Sequence, residues 1–180
     1  MRFFLSGLYY YLLNNVILRI PFWYVRRNFL IKMGYKIDKS CSILVGCLVF
    51  GVGSRLEIGK HTTINSSCIL DARSSLKIGN KCSISRGVVF ISRSHDYNSK
   101  DFDLENYPIT VGDNVWIGTN AIILPKVNIG DNCVIGAGAV VTSNCDKNGV
   151  YVGNPARLIK YRKIVADVPK AYTPWFGLQN

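Results

Sequence analysis

The sequence predicts an all-β fold in which short parallel strands stack into a solenoid of triangular coils. A six-residue repeat runs through residues 111–146, which read in sixes as VGDNVW, IGTNAI, ILPKVN, IGDNCV, IGAGAV and VTSNCD. Each hexad opens with a branched apolar residue and carries a small residue at its fifth place. A period of six fits neither an α-helix nor a long two-residue alternation, but it fits one short strand plus a corner, three of which make a coil.

The same frame extends towards the N-terminus, so the repeat is general rather than local. Earlier hexads open at Ile37, Ile43, Val49, Ile58, Ile64, Leu70, Ile78, Ile84 and Phe90. With the later hexads they predict about five coils. Three insertions interrupt the six-residue period, at residues 55–57, 76–77 and 96–110, and are called the slips in the frame. Gly, Asn and Asp at the second to fourth places supply the turn chemistry of the corners.

The cysteines test this frame independently. All six fall on the small fifth place: Cys41, Cys47, Cys68, Cys82, Cys133 and Cys145. A shared repeat position indicates compact core side chains rather than a disulfide framework. The absence of a CxxC pair argues against structural zinc. Free buried thiols favour a reducing compartment, so we expect a cytoplasmic protein.

The formal net charge of +11 is concentrated at the two ends of the chain. Residues 1–36 hold six Lys and Arg and no acid, and residues 156–180 carry a net charge of +4. The repeat body is therefore nearly neutral. Because no nucleic-acid-binding motif accompanies this charge, we expect a membrane surface or a phosphate-rich cofactor as the partner, and no nucleic acid.

The first 36 residues are apolar, aromatic and basic. They contain neither a signal-peptide cleavage site nor an uninterrupted apolar run of about 20 residues, so the pattern favours two short helices broken at Pro21. Two roles remain open for this segment. It packs on the solenoid or between subunits, or it lies on a lipid interface with its aromatic side chains beside Arg26 and Arg27.

The fifteen-residue excursion at 96–110 is the predicted location of the chemistry. A repeat coil does not need such a loop, and loops of this length inside compact repeats usually serve a site. His95 stands immediately before it and is a candidate general base, because imidazole titrates near neutral pH. The alternative for His95 is a surface or loop-anchoring role. His61, on an ordinary corner, is not expected to act chemically.

Several segments of the chain resemble those of a known family. The hexads, the excursion after the third coil, PITVGDNVWIG (108–118), IGAGAVVT (135–142) and GNPARLI (153–159) together resemble the left-handed β-helix acetyltransferases that use acetyl-CoA. Among these the chain is similar to sugar O-acetyltransferases, including those acting on maltose, galactosides and bacterial capsule, exopolysaccharide or lipopolysaccharide. The resemblance covers residues 37–162. It implies a left-handed coil and a homotrimer with its three sites between neighbouring coils.

The resemblance also implies a set of site residues. His95 takes the place of the catalytic histidine, and Asn65 that of an asparagine that helps to hold the acceptor hydroxyl. The acetyl-CoA site is implied at Trp116, Thr119, Ala137, Thr142, Arg157 and Lys160. For Trp116 the alternative is packing on a neighbouring subunit, and for the two basic residues it is solvated surface charge.

The sequence thus predicts three regions: an N-terminal helical segment at 1–36, the β-helix at 37–155 with its loop at 96–110, and a basic C-terminal helix or tail at 156–180. The expected reaction is acetyl transfer from acetyl-CoA to a sugar hydroxyl of a surface polysaccharide, with no metal. The N-terminal segment departs from the corresponding region of many of these enzymes, so the acceptor stays open. Asp96 follows the histidine where the maltose and galactoside enzymes have proline, which makes the chain more similar to the polysaccharide-modifying branch.

Three alternative functions stay open. An N-acetyltransferase of an amino-sugar, or an antibiotic-inactivating enzyme, would share the coil and the histidine. A non-catalytic scaffold would bind no acetyl-CoA. A hexapeptide carbonic anhydrase is not expected, because it needs three metal-binding histidines and the chain has two histidines in all.

Overall fold

The computed structural model describes residues 2–163. Of the predicted C-terminal extension, residues 164–180 lie outside this range. Within it, the chain forms a parallel β-solenoid preceded by a helical segment. The stacked triangular coils form a prism whose three sides are β-sheets. The sheets are called A, B and C in the order in which the chain enters them.

The strands are only two to four residues long in each coil, because every hexad must also supply a corner. Five complete coils are present, and β18 starts a partial sixth. The first three coils comprise β1 (Lys36–Ile37), β2 (Ser42–Ile43), β3 (Leu48–Phe50), β4 (Leu56–Ile58), β5 (Thr63–Ile64), β6 (Ile69–Asp71), β7 (Leu76–Ile78), β8 (Ser83–Ile84) and β9 (Val89–Phe90). The excursion holds β10 (Arg93–His95) and β11 (Leu104–Asn106). The remainder comprises β12 (Ile109–Val111), β13 (Trp116–Ile117), β14 (Ile122–Ile123), β15 (Asn128–Ile129), β16 (Val134–Ile135), β17 (Val140–Val141), β18 (Gly149–Val152) and β19 (Arg157–Tyr161).

The strand register confirms the predicted hexad frame at every coil. In sheet A the residues that open the hexads pair in the order Ile37, Ile58, Ile78, Val111 and Ile129. The corresponding columns in sheets B and C are equally continuous. These side chains are buried, and stacking them one above another forms the single apolar core that holds the coils together.

All six cysteines are buried and free, which confirms their role as core side chains. Burial raises the pKa of Cys82 to about 11 and the pKa values of Cys41 and Cys145 to about 12. These three thiols therefore stay protonated at neutral pH, and protonated thiols are poor nucleophiles.

Most corners share one backbone conformation. Ten of the residues at the fourth place have a positive φ: Gly46, His61, Ser67, Lys81, Gly87, Asn114, Asn120, Lys126, Asn132 and Gly138. Glycine and asparagine reach this left-handed region at low cost, whereas lysine, serine and histidine do so less readily. The stacking of the coils therefore overrides local preference at four of the ten corners.

The three slips in the frame have one structural location. Each falls at the corner that leads from sheet C to sheet A, in coils 1, 2 and 3 respectively. The first is accommodated by a short 3₁₀ turn at Gly53–Arg55 and the second by lengthening β7. The third becomes an antiparallel hairpin, in which β10 pairs with β11. This corner is thus the one place where the solenoid widens.

As predicted, the N-terminal segment forms two short helices. Helix α1 spans Arg2–Tyr11, a π turn and a 3₁₀ turn cover Leu12–Val16 and Ile17–Arg19, and α2 spans Trp23–Lys32. The chain is non-helical around Pro21. No described helix is long and apolar enough to cross a membrane.

This segment covers the open edge of the first coil. The side-chain amide of Asn14 pairs with both backbone groups of Val49, at 2.8 and 3.1 Å, as a neighbouring strand would. Trp23 Nε1 donates to the Cys41 carbonyl at 2.9 Å, and the buried Arg26 donates through Nη2 to the Ile43 carbonyl at 2.7 Å. Polar side chains therefore satisfy edge groups that would otherwise be unpaired.

The other end of the solenoid is closed by a strand. The chain reverses after β18, and β19 runs antiparallel to it along sheet B. A helix was one of the two forms expected after residue 156, but residues 157–161 are extended, because pairing with β18 satisfies their backbone groups.

Candidate active site

The predicted site residues lie at two corners of the prism, one at each end of sheet C. The turn from sheet B to sheet C carries Asn65 in coil 2 and is called the Asn65 corner. The turn from sheet C to sheet A carries the hairpin of coil 3 and is called the His95 corner.

His95 is the last residue of β10, and its ring is exposed. Its Nδ1 lies 2.6 Å from the carbonyl oxygen of Phe102, across the hairpin turn. Because a carbonyl only accepts, Nδ1 carries the proton and Nε2 is left as the basic nitrogen. Phe102 itself has φ +51°, an uncommon conformation for an aromatic residue. The Phe102 carbonyl thus fixes the tautomer of His95.

The root of the hairpin is anchored by a buried carboxylate. Asp71 Oδ2 accepts a hydrogen bond from the Ser92 amide at 3.1 Å, and the Ser92 carbonyl accepts one from the Tyr107 amide at 3.0 Å. Asp71 also binds Arg73 through two side-chain contacts of 2.9 and 3.0 Å. Burial works to raise the pKa of Asp71, but the hydrogen bonds from Arg73 and Ser92 outweigh it and hold this pKa below its usual value. Both strands of the hairpin are therefore tied to coil 2.

Asn65 lies one coil below the hairpin level, at the opposite end of sheet C. Its Nδ2 donates to the Ile84 carbonyl at 3.0 Å, and its side chain is half-buried. The two corners of one chain are separated by a full side of the triangle, roughly 15 Å for five extended residues. Within one chain, Asn65 and His95 therefore cannot act on the same hydroxyl.

Trp116 stands on the outer face of sheet B, immediately before the Asn65 corner, and half of its surface is exposed. Its indole Nε1 donates to Ser85 Oγ at 3.2 Å. Ser85 occupies the place of Asn65 one coil further on. The sequence analysis missed Ser85, because a serine at a corner position is ordinary and only the fold brings it under the indole.

Thr119 and Ala137 form a column on the Asn65 corner, in coils 4 and 5. The Gly138 amide donates to the Thr119 carbonyl at 2.8 Å, so the two turns are in direct contact. Beneath them the wall is tight, since a Cβ on Gly118 would lie 2.5 Å from the Ala137 nitrogen. Above them both side chains are exposed. The surface is thus smooth and open to a narrow chain.

The amide of Thr119 donates no hydrogen bond to any residue in 2–163. An exposed, unpaired corner amide is a suitable donor to an oxyanion. Thr142, by contrast, lies two coils above the hairpin on the His95 corner rather than beside Thr119. The predicted cofactor residues are therefore divided between the two corners.

Arg157 and Lys160 are exposed residues of β19, with Arg157 opposite Val152 beside the Asn65 corner and Lys160 opposite Val150, nearer the start of sheet B. The strand places them beyond Ala137 along the prism axis, because β19 pairs with the sixth turn of sheet B. The arrangement therefore offers an aromatic surface, a smooth wall and a basic end in sequence. An extended ligand with an anionic end fits this order of groups.

A shallow depression of about 580 Å³ lies elsewhere, on the outer face of sheet A. Three of its charged side chains pair with one another, Lys36 with Glu57 at 2.8 Å and Lys77 with Glu57 at 3.8 Å. Within residues 2–163, no three His, Cys, Asp or Glu side chains come together as a metal site.

Known proteins share both the repeat and the overall fold. The family described as bacterial transferase hexapeptide (six repeats) matches residues 108–143. WcaF of Escherichia coli K12, whose name places it in colanic acid biosynthesis as an acetyltransferase, is 31% identical over 137 residues, covering 76% of this chain and 75% of WcaF. The chain belongs to the hexapeptide-repeat acetyltransferases.

Solved structures of the family agree. A maltose O-acetyltransferase from Clostridium difficile 630 superimposes with a TM-score of 0.78 at 28% identity, over 87% of this chain and 86% of that one. A galactoside acetyltransferase in complex with coenzyme A gives a TM-score of 0.68 at 30% identity, over 77% and 70%. The chain spans little more than half the length of some curated relatives, such as 56% of the galactoside O-acetyltransferase of Escherichia coli K12.

Proposed function

We propose that this protein transfers the acetyl group of acetyl-CoA to a sugar hydroxyl, with His95 as general base. The observation that carries the proposal is the 2.6 Å contact of His95 Nδ1 with the Phe102 carbonyl. It holds the ring in the tautomer whose exposed Nε2 accepts a proton.

Acetyl-CoA supplies the activated thioester. Trp116, Thr119 and Ala137 would line the pantetheine arm from the Asn65 corner, and Thr142 would line it from the His95 corner. Arg157 and Lys160 would meet the phosphate end. The fit rests on the smooth wall above Gly118, where no side chain blocks the column, and on the basic strand at its end.

Each residue then has a separate task in the reaction. His95 Nε2 accepts the proton of the sugar hydroxyl as its oxygen attacks, and Asn65 of a neighbouring chain holds that hydroxyl in place. The Thr119 amide of the same neighbouring chain donates to the carbonyl oxygen as negative charge develops on it. Because a sugar hydroxyl is a poor nucleophile, alignment contributes as much as the base.

A panel assay tests the reaction. Release of free thiol from acetyl-CoA is measured with sugars, nucleotide-sugars, oligosaccharides and amino-sugars, and the product is examined for an ester or an amide. Ester formation on a sugar supports the proposal. Amide formation favours the N-acetyltransferase alternative, and absence of acetyl-CoA binding favours a scaffold.

The division of the site between two corners supports a homotrimer. If three prisms pack side by side, the His95 corner of one chain can face the Asn65 corner of its neighbour, which completes three sites. Light scattering should report about three chains per particle. A fully active monomer would overturn both the trimer and the composite site.

A role in bacterial surface polysaccharide synthesis in the cytoplasm completes the proposal. It is supported by the name of the relative WcaF and by the six free thiols. The sugar and the position of its hydroxyl are to be found by the panel.

Contact with the inner face of the membrane is part of the same proposal. Of the seventeen large hydrophobic side chains that are exposed among residues 5–163, nine lie between residues 5 and 31, and no acid precedes Asp38 in the sequence. On α1 and the turn after it, Tyr9, Leu13 and Asn14 face the solenoid, while Leu5, Leu8, Leu12 and Val16 are exposed. A helical segment that is apolar on both faces suits a lipid interface.

Vesicle binding tests this contact with the full chain, since removal of the segment would also uncover the edge of the first coil. Leu8→Glu combined with Leu12→Glu should lower the partition onto anionic vesicles about 10-fold or more. Ile159→Glu, at a somewhat more exposed position at the other end of the solenoid, is the control. Equal partition of all three proteins would leave the segment only its packing role.

A further inference from the structure

Three arginines stack at the His95 corner, one on each of the first three coils. Arg55, Arg73 and Arg93 all occupy the turn from sheet C to sheet A. Arg55 Nη1 donates to the Arg73 carbonyl at 2.5 Å, and Arg93 Nη2 lies 3.5 Å from the same oxygen. Two guanidinium groups from different coils therefore converge on one carbonyl. This group is called the arginine column.

The charge of the column is not balanced by the residues around it. Arg73 is paired with Asp71, but in the described part of the chain neither Arg55 nor Arg93 makes an ion pair. The three arginines and Asp71 together carry a net charge of +2. Like charges a few ångströms apart repel one another, so an anion bound here would relieve the repulsion.

The column lies beside the base. Arg93 and His95 are two residues apart on β10, so their side chains leave the same face of the strand, roughly 7 Å apart. This distance is comparable to the width of a sugar ring. A hydroxyl held at His95 and an anionic substituent on the same or the next ring can therefore reach both groups.

The acids of the hairpin do not neutralise this face. Glu105 is paired across the hairpin with Ser94, whose side chain leaves the opposite face of β10 from Arg93 and His95. Glu105 accepts a hydrogen bond from the Tyr107 hydroxyl. At the tip, Asp96 accepts from the Asn98 amide and Asp103 from the Ser99 hydroxyl. One face of the hairpin is thus basic and the other acidic.

We propose that the acceptor is an anionic saccharide, whose carboxylate or phosphate binds the arginine column while its hydroxyl meets His95. The proposal rests on the O-acetyl transfer proposed above and names the class of its substrate. Guanidinium groups bind carboxylate and phosphate in a planar, bidentate geometry, which suits them to this task.

Matched acceptor pairs test the proposal. Methyl glycosides of glucose, galactose and mannose are compared with the corresponding uronides and 6-phosphates, by acetyl transfer and by direct binding to the protein loaded with CoA. At least one charged member should exceed its neutral partner in kcat/KM or affinity by roughly 10-fold or more. The uronide and phosphate arms distinguish the two sources of negative charge.

Substitutions locate the effect. Arg93→Gln and Arg55→Gln should reduce the ratio of charged to neutral acceptor about 10-fold, with the KM for acetyl-CoA unchanged. Arg93→Lys should recover part of the ratio. Arg19→Gln removes one exposed positive charge from the N-terminal segment and is the matched control.

The outcomes separate this inference from the function on which it rests. Acetylation of neutral glycosides with no preference for a charged partner, in turnover or in binding, overturns the anionic acceptor but leaves O-acetyl transfer standing. A preference for charged acceptors that persists in both Gln variants excludes the arginine column as its source. Failure to bind acetyl-CoA overturns the proposed function itself.

Discussion

The Asn65 corner and the His95 corner belong to the same coils but are built in different ways. The Asn65 corner follows the hexad period without interruption, and small residues such as Gly118 and Ala137 leave a smooth wall. The His95 corner breaks the period in three successive coils and carries a hairpin and three arginines. The regular repeat thus forms a smooth surface, whereas its interruptions carry the proposed base and the charged side chains.

The largest effect is expected at the interrupted corner. His95→Ala should lower the rate of acetyl transfer by about 10²- to 10⁴-fold, because a positioned general base acts only in the transition state. The KM for acetyl-CoA should be almost unchanged. Steady-state kinetics with both substrates varied will measure the two parameters.

His61→Asn is the matched control for His95→Ala. His61 occupies a left-handed corner, and asparagine tolerates that conformation better than alanine. Its activity should equal that of the wild type. Retention of half the activity by His95→Ala would remove the histidine from the mechanism and return attention to Asn65 and the acidic hairpin tip.

An intermediate effect is expected at the regular corner. Ala137→Trp should raise the KM for acetyl-CoA by about 10-fold, because an exposed bulky side chain would occupy the wall that the pantetheine arm is proposed to follow. Ala137→Ser keeps the residue small and should behave as the wild type. An unchanged KM in the Trp variant would place the cofactor elsewhere.

The smallest effect is expected at the root of the hairpin, within the His95 corner. Asp71→Asn should cost about 2 kcal/mol of folding free energy, since a buried charge partner of Arg73 is lost. The rate should fall several-fold with the KM for acetyl-CoA unchanged, because His95 is held less firmly. Thermal unfolding and kinetics test both expectations, with Glu57→Gln on the exposed face of sheet A as the control.

The pH dependence of this variant has a defined sign. The folded pKa of Asp71 is depressed, so its contribution to stability is complete above the unfolded value, about 3.9, and is lost as the pH falls through the folded pKa. The difference in stability between wild type and Asp71→Asn should therefore shrink below about pH 4. A constant difference across that range would exclude the ionised carboxylate as its source.

The sequence predicts the regular part of the molecule to the residue. Hexad openings such as Ile58 and Ile78 pair as the frame requires, and the cysteines lie in the core, because each position experiences the same surroundings in every coil. Departures from the period are harder to predict. The pairing of His95 with Phe102 depends on the chain reversal in the hairpin, and the pairing of Asp71 with Ser92 depends on two polar side chains at the interrupted corner. Neither leaves a periodic signal.

The position of the site residues was only partly predictable. The eight residues implied by family resemblance fall at or beside two corners and on β19. The hexad frame assigns Asn65 and His95 to different corners, but the resemblance assigns both to one reaction and does not reveal that they lie a full side of the prism apart. That separation follows from where sheet C stands between them. The strand at 157–161 escaped prediction for a similar reason, because its partner β18 is supplied by the fold.

The edge contacts made by Asn14, Trp23 and Arg26 also determine how long the molecule can be. A solenoid has no intrinsic end, since the last strand of each sheet can template another coil, whether from the same chain or from a second molecule. Here the side-chain amide of Asn14 occupies the place of the next backbone at Val49. The N-terminal segment therefore prevents further coils from adding to this end of the solenoid. Weakening its contacts with the first coil should convert a particle of defined size into one that grows end to end into fibres.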